Sequence, residues 1–132
     1  MTYCEVHSIL YGEAYSTEIH MNTSKELVGA STGLLILGIL AQGPNYGYEI
    51  VRLVNEKADN FFTWQEGTIY PILRKMEKDG LLESKWNEAG NGRKRKYYHI
   101  TTQGREALNE GTVEWKGFYK LVMRAADAPG VS

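Results

Sequence analysis

Residues 65–80 read QEGTIYPILRKMEKDG and predict one amphipathic helix. Ile69, Leu73 and Met76 follow each other at intervals of four and three residues, so they form one apolar stripe on a helix. Gly80 comes directly after this pattern, where a left-handed residue commonly ends a helix. The stretch therefore predicts its own buried face and its own C-terminal end.

The start of this helix is predicted from Thr68, whose hydroxyl can cap the first turn. Pro71 then falls in that turn, where the missing N–H costs little. Hydroxyl, amide and cationic side chains lie largely off the apolar stripe and are able to bind phosphates and base edges. These residues are Gln65, Thr68, Tyr70, Arg74 and Lys75. Our hypothesis is that this helix enters the major groove of DNA.

Two apolar helices are predicted before it. The first begins near Ser24 and is apolar on several sides, so it has to be buried on more than one of them. The turn at residues 42–45, QGPN, ends it, and a second helix follows from about Tyr46 to Lys57. Residues 59–60 break that helix, and the aromatic residues after the break are interpreted as core packing around a turn.

A β-hairpin is predicted after Gly80, with strands at residues 81–86 and 93–100 around a glycine-rich turn. Four consecutive cations begin its second strand: Arg93, Lys94, Arg95 and Lys96. Between residues 72 and 100 there are eight basic and four acidic residues, although the whole chain has a net charge of −1. A local basic patch is sufficient for binding to DNA.

Thr101 or Thr102 is expected to cap a last helix of about 24 residues. Its apolar positions recur every seven residues in two offset series, which is typical of a helix that packs along another helix. The partner is the first helix, a second copy of the chain, or both, and a symmetric dimer is the simplest arrangement. The expected interface residues are Leu27, Leu108, Gly111, Trp115, Phe118, Val122 and Ala125.

Several other classes of protein are excluded by the 132 residues of this chain. The single cysteine, Cys4, permits neither an intramolecular disulfide nor a cysteine-based zinc site. There is no apolar run of 18 residues and no secretory signal, so we expect a cytoplasmic protein without membrane contact. No nucleophile–base pair, metal cluster or phosphate loop occurs. We therefore expect no catalytic residue, no metal and no cofactor.

The element order predicts a mostly α fold with a small β-hairpin: a winged helix-turn-helix followed by a long C-terminal dimerisation helix. Three segments resemble the PadR family of transcriptional regulators: residues 43–50, GPNYGYEI; residues 66–82 around EGTIYP and DGLL; and residues 95–104 around RKYY. Tyr46 departs from this resemblance, because the family often has histidine there. The expected divisions are residues 1–23 as an N-terminal extension, 24–100 as the DNA-binding domain, 101–126 as the dimerisation helix and 127–132 as a tail.

The resemblance implies a dimeric repressor that binds a pseudo-palindromic site on double-stranded DNA through the third helix and the basic wing. It also implies, as in multidrug-binding members, that a small planar aromatic or cationic effector contacts Trp115, with Phe118 and Tyr119 beside it. An indole face attracts such compounds. Alternatively, Trp115 only packs in the dimer interface.

Two other functions remain as alternatives. A winged helix can serve as a protein–protein interaction module without direct DNA binding, and a neutral or covered wing surface would favour that function. An enzyme is the third possibility, and no residue pattern in the chain supports it.

Overall fold

The computed structural model describes residues 25–88 and 90–127, with side chains from Leu27 onwards. Four helices and three strands follow one another along the described residues. They are α1 (Lys25–Ala41), β1 (Asn45–Tyr46), α2 (Gly47–Ala58), α3 (Glu66–Lys78), β2 (Leu82–Glu88), β3 (Lys94–Ile100) and α4 (Thr102–Ala125). The strands form one antiparallel sheet in the order β1-β3-β2. This arrangement confirms the predicted winged helix-turn-helix followed by a long helix.

The core lies between α1, α2, α3 and the sheet. Helix α1 is apolar around most of its circumference, and Ile36 and Leu40 on it are almost completely buried. They meet Ile50 of α2 and the α3 stripe in one cluster. The stripe is confirmed, because its three members are 0–6% exposed: Ile69, Leu73 and Met76.

The start of α3 differs from the prediction. The N-cap is Gln65, in an extended conformation and without a side-chain capping bond, so Thr68 is the third helical residue and not the cap. Pro71 is the sixth helical residue, one turn deeper than expected. Its missing N–H removes a bond to the carbonyl of Gly67, which is exposed and can be hydrated.

The end of α3 is as predicted. Gly80 has φ +84°, the left-handed conformation that glycine adopts without strain. Its N–H donates to the carbonyl of Glu77 (3.1 Å), and the N–H of Leu81 donates to the carbonyl of Met76 (2.9 Å). This pair of bonds is a Schellman motif, and it turns the chain from α3 directly into β2.

The segment between α2 and α3 is held by Trp64, which is 5% exposed. Asn55 of α2 accepts from the backbone N–H of Trp64 (2.7 Å) and donates to its carbonyl (3.0 Å). The indole N–H donates to the hydroxyl of Thr32 (3.0 Å), and Phe62 packs edge-on at 4.7 Å between ring centroids. Core packing therefore accounts for Trp64 and Phe62, whereas Phe61 is 66% exposed.

The hairpin is present, with its strands displaced by one or two residues from the predicted bounds. Trp86 faces Lys96 and Leu82 faces Ile100 in the antiparallel register of β2 and β3. The short strand β1 was not predicted. It pairs Tyr46 with Tyr97, which brings the start of α2 against the base of the wing.

Helix α4 begins as expected: the Thr101 hydroxyl accepts from the N–H of Gly104 (2.9 Å). A side chain at Gly104 would overlap the carbonyl of Leu81, so this glycine allows α4 to start close to the end of α3. Further along, Gly111 lies directly against Leu34 of α1. The first half of α4 thus packs against α1 of the same chain, one of the two partners expected for it.

Within residues 25–88 and 90–127, no helix is long and apolar enough to cross a membrane. In the same ranges no three histidine, cysteine or acidic residues are grouped so that they could hold a metal ion. The expected N-terminal extension, the cap at Ser24 and the end of the tail lie outside the described residues.

Candidate nucleic-acid interface

The outer face of α3 carries the side chains that the sequence assigned to DNA. Four of them are exposed: Gln65, Thr68, Arg74 and Lys75. Lys75 forms an ion pair with Asp79 at 2.9 Å, and both side chains are solvent-exposed. Such a pair contributes little to stability, so Lys75 can exchange its partner at small cost.

Tyr70 is the exception on this face, because it is half-buried. Its ring lies against Gly47 at the start of α2, so closely that any side chain at residue 47 would overlap it. Burial raises the pKa of the Tyr70 hydroxyl, and the charge of Glu66 adds to this effect. The hydroxyl is therefore protonated at neutral pH and can donate a hydrogen bond.

The tip of the wing is formed by residues 90–93. Gly92 has φ +80°, and the backbone N–H of Arg93 donates to the side-chain oxygen of Asn91 (3.1 Å). Arg93 and Lys94 are exposed, and neither forms an ion pair with a described residue. Their charges are available to an anionic partner.

Lys96 differs from its neighbours, because its ammonium group lies 3.2 Å from a carboxylate oxygen of Glu77 on α3. The Ser84 hydroxyl donates to the same carboxylate. The Ser84 hydrogen bond and the Lys96 charge together hold the pKa of Glu77 below its usual value. Burial opposes ionisation of Lys96, but Glu77 raises the pKa of Lys96 overall. This pair connects the wing to α3 and neutralises Lys96 within the chain.

The environment of Arg95 differs both from that of the exposed Lys94 and from that of the paired Lys96. Its guanidinium carbon lies 4.4 Å from the ring centroid of Tyr46, which is within the range of a cation–π contact. Tyr46 in turn packs edge-on against Tyr97, with 5.5 Å between ring centroids. The missed strand β1 therefore supplies the ring on which the central wing cation rests.

A groove of about 580 Å³ lies where the start of α2, α3 and the wing meet, and we call it the junction groove. It is lined by Tyr46, Gly47, Tyr48, Tyr70, Arg93, Arg95, Lys96 and Tyr98. The structure thus brings Tyr70 together with three of the four wing cations. Sequence reasoning missed Tyr46 and Tyr48; their position on either side of Gly47 was the available signal.

The residues predicted for ligand binding lie at a different place, beside the crossing of α1 and α4. A groove of about 800 Å³ is lined there by Leu27, Ala30, Leu34, Gly111, Glu114, Trp115, Gly117, Phe118 and Leu121. Trp115 and Phe118 are among them, whereas Tyr119 does not line this groove and is 63% exposed. We call this the α1–α4 groove.

The residues predicted for dimerisation divide into two groups. Leu108 packs against the core of its own chain and Gly111 lies against α1. Trp115, Phe118 and Val122 are 38–63% exposed, and Leu27 is 37% exposed. Ala125 is exposed at the end of α4. The second half of α4 thus presents apolar side chains that the described part of the chain leaves exposed.

The Transcriptional regulator PadR-like family matches residues 36–110 of the chain, which is more than half of its length. A transcriptional regulator of Mycobacterium tuberculosis is 40% identical over 86 residues, which cover 65% of this chain and 77% of that protein. The negative transcriptional regulator PadR of Bacillus subtilis is 29% identical over 75 residues, and the match spans only 41% of its length.

Solved structures agree with these matches. A PadR-like transcriptional regulator of Bacillus cereus has a TM-score of 0.69 and 34% identity, covering 79% of this chain and 99% of its own. The Bacillus subtilis PadR, solved in complex with operator DNA, has a TM-score of 0.57 and 27% identity. The match covers 62% of this chain and 45% of that one.

Proposed function

We propose, from the premise that this chain belongs to the PadR-like family of transcriptional regulators, that it binds operator DNA through α3 and the wing. Like its relatives in this family, it is a DNA-binding regulator and not an enzyme. The observation that carries the proposal is that Tyr70 of α3 and the wing cations Arg93 and Arg95 border one groove. Helix α3 and the wing can therefore contact one stretch of duplex together.

In this proposal the exposed face of α3 lies in the major groove and the wing tip contacts the adjacent backbone or minor groove. The expected contacts on α3 are Gln65, Thr68, Tyr70, Arg74 and Lys75. On the wing we expect Arg93, Lys94 and Arg95, with Lys96 in a supporting position because Glu77 already pairs with it. Residues 24–100 form the DNA-binding domain.

We also propose that residues 101–126 form a homodimer contact. The exposed apolar side chains on the second half of α4 support this, because contact with a second copy would remove them from water. A twofold axis would place two copies of α3 about one helical turn apart on a pseudo-palindromic site. As a regulator of bacterial DNA, the dimer would act in the cytoplasm.

The proposed repression is relieved by a small planar aromatic or cationic effector. Trp115 supports this proposal, since it borders the α1–α4 groove and is 38% exposed, so its ring is accessible. Phe118 lies in the same groove, and Tyr119 could contact a ligand only from outside it. An effector that binds there would change the relation of the two α3 helices and lower the affinity for DNA.

DNA binding is tested by selecting fragments from a random duplex library with the purified protein, followed by fluorescence anisotropy at several salt concentrations. We expect an enriched pseudo-palindrome and a steep fall in affinity with salt. Replacing both Arg93 and Lys94 with Ala should weaken binding, while Lys120→Ala, an exposed cation on α4, should not. The absence of an enriched sequence, or binding that does not depend on salt, would overturn the proposal.

The effector is tested by titrating tryptophan fluorescence with a planar cationic dye. We expect quenching that disappears in Trp115→Phe, while Trp64→Phe and Trp86→Phe keep the response. The dye should also lower the affinity for the selected duplex. If quenching is unchanged in Trp115→Phe, the effector does not bind at this tryptophan.

A further inference from the structure

The junction groove contains a cation whose charge is not matched by any described residue. Arg95 is half-buried, and among the described residues no carboxylate lies within 4 Å of it and no hydrogen bond engages its guanidinium group. Its contact is the ring of Tyr46. We infer that the junction groove binds one phosphodiester of the DNA backbone, with Arg95 as the main contact. This inference rests on the proposed function and goes beyond it by assigning one phosphate to one groove.

Other cations of the chain, unlike Arg95, are paired with carboxylates. Arg52 on α2 is held by two carboxylates, Glu49 and Glu56, and Lys96 is held by Glu77. Arg95 has no such partner in residues 25–88 or 90–127, although partial burial makes an unpaired charge unfavourable. An anion that enters the groove would compensate this charge.

The geometry around Arg95 limits its motion before any ligand arrives. The planar guanidinium group rests on Tyr46, and Tyr46 is itself supported by Tyr97 and by the pairing of β1 with β3. A planar guanidinium with several N–H donors suits phosphate oxygens better than an ammonium group does. Because the group is already oriented, less conformational entropy is lost on binding.

Two hydroxyls of the groove can complete the contact. Tyr48 and Tyr70 line it, and neither hydroxyl is hydrogen-bonded to a described residue. Tyr70 is neutral and able to donate, as described above. Arg93 borders the same groove from the wing tip and adds positive charge. These groups match a singly charged phosphodiester, which accepts several hydrogen bonds.

Arg95 and Lys96 are adjacent in the sequence but have different contacts in the fold. Lys96 also borders the groove, but its pairing with Glu77 leaves it little charge to offer to DNA. Arg95 should therefore account for one phosphate contact in the salt dependence of binding, and Lys96 for much less. This difference can be measured directly.

The first experiment measures the affinity of the full chain for the selected duplex at five salt concentrations. Arg95→Ala should lower the affinity about tenfold and reduce the slope of log K against log salt by about 0.9, the value for one phosphate. Arg95→Lys keeps the charge, so the slope should be retained while the affinity falls less. Arg52→Ala, which removes an already compensated arginine, is the matched control and should leave the slope unchanged.

The second experiment locates the phosphate by replacing single backbone linkages of the duplex with neutral methylphosphonates. At one linkage the wild-type protein should lose affinity, whereas Arg95→Ala should lose none beyond its own deficit. Melting curves followed by circular dichroism establish that each variant is folded. An unchanged slope in Arg95→Ala, or additive losses at every linkage, overturns the inference while wild-type binding leaves the proposed function standing. Failure of the wild-type protein to bind any duplex overturns the proposed function itself.

Discussion

The winged-helix core and the second half of α4 use similar apolar side chains, but among the described residues only those of the core are buried. Ile69 and Leu73 on α3 are completely buried, whereas Phe118 and Leu121 on α4 are 63% and 54% exposed. The core is therefore buried by the described residues themselves, whereas those residues leave the apolar side chains at the end of α4 in contact with water. The same substitution should have different consequences in the two regions.

The largest effect is expected for Leu73→Ala, which leaves a cavity in a fully buried stripe. It should lower the free energy of unfolding by about 3 kcal/mol at every protein concentration. Leu121→Ala makes the same chemical change on the exposed face of α4. Its cost should be smaller and should vary with protein concentration if a second copy covers the face. Urea denaturation at two concentrations measures both; equal costs would contradict the division into two regions.

A smaller effect is expected for Asn55→Ala, which removes both hydrogen bonds to the backbone of Trp64. The half-buried backbone groups would lose their partners, at a cost of about 2 kcal/mol of unfolding free energy. Asn109→Ala, an exposed asparagine on α4, is the matched control and should change stability by less than about 0.5 kcal/mol. Thermal melting distinguishes the two variants. A similar melting temperature for both would contradict a stabilising role for the Asn55 hydrogen bonds.

Phe118→Ala tests the exposed apolar side chains on the second half of α4. We expect it to weaken association of two chains about tenfold, or about 1.4 kcal/mol, because an exposed aromatic side chain would be buried between them. Lys120→Ala changes a residue two positions along the same helix and should have little effect. Analytical ultracentrifugation gives the dissociation constants. If wild type and Phe118→Ala associate equally, this face is not the contact.

The smallest effect concerns the pair between α3 and the wing, and it depends on pH. The folded-state pKa of Glu77 is lowered, first by Ser84 and then by Lys96, so its contribution is present above the ordinary glutamate pKa of about 4.3 and is lost as the pH falls through the lower folded value. Glu77→Gln should remove about 0.5 kcal/mol at pH 7 and less at acidic pH. A constant difference between pH 7 and pH 3 in urea denaturation would contradict this assignment.

Local patterns were sufficient to predict much of the fold. The stripe on α3, the glycine that ends it, the hairpin and the Thr101 cap each depend on residues a few positions apart. The predicted N-cap of α3, Thr68, lies three residues after the observed one, Gln65. The prediction was wrong because Gln65 begins the helix without a side-chain capping bond, which no sequence pattern indicates.

The site was less predictable, because its contacts join residues that are distant in the chain. Strand β1 has two residues and exists through its pairing with β3, so no periodic pattern indicates it. For the same reason, the sequence gives no indication that Lys96 is paired with Glu77 while Arg95 rests on Tyr46. Four consecutive cations predicted a basic wing, and only their tertiary partners separate their roles.

The hydroxyl of Thr101 has a mechanical consequence. It donates to the carbonyl of Gly80 (2.7 Å) at the end of α3 and accepts from the N–H of Gly104 (2.9 Å) at the start of α4. A tilt of α4 relative to α3 would have to break one of these bonds, each worth about 1 kcal/mol. The Thr101 hydroxyl thus links the start of α4 to the C-terminal end of α3, so a change in the angle between the two helices acts on both of its hydrogen bonds.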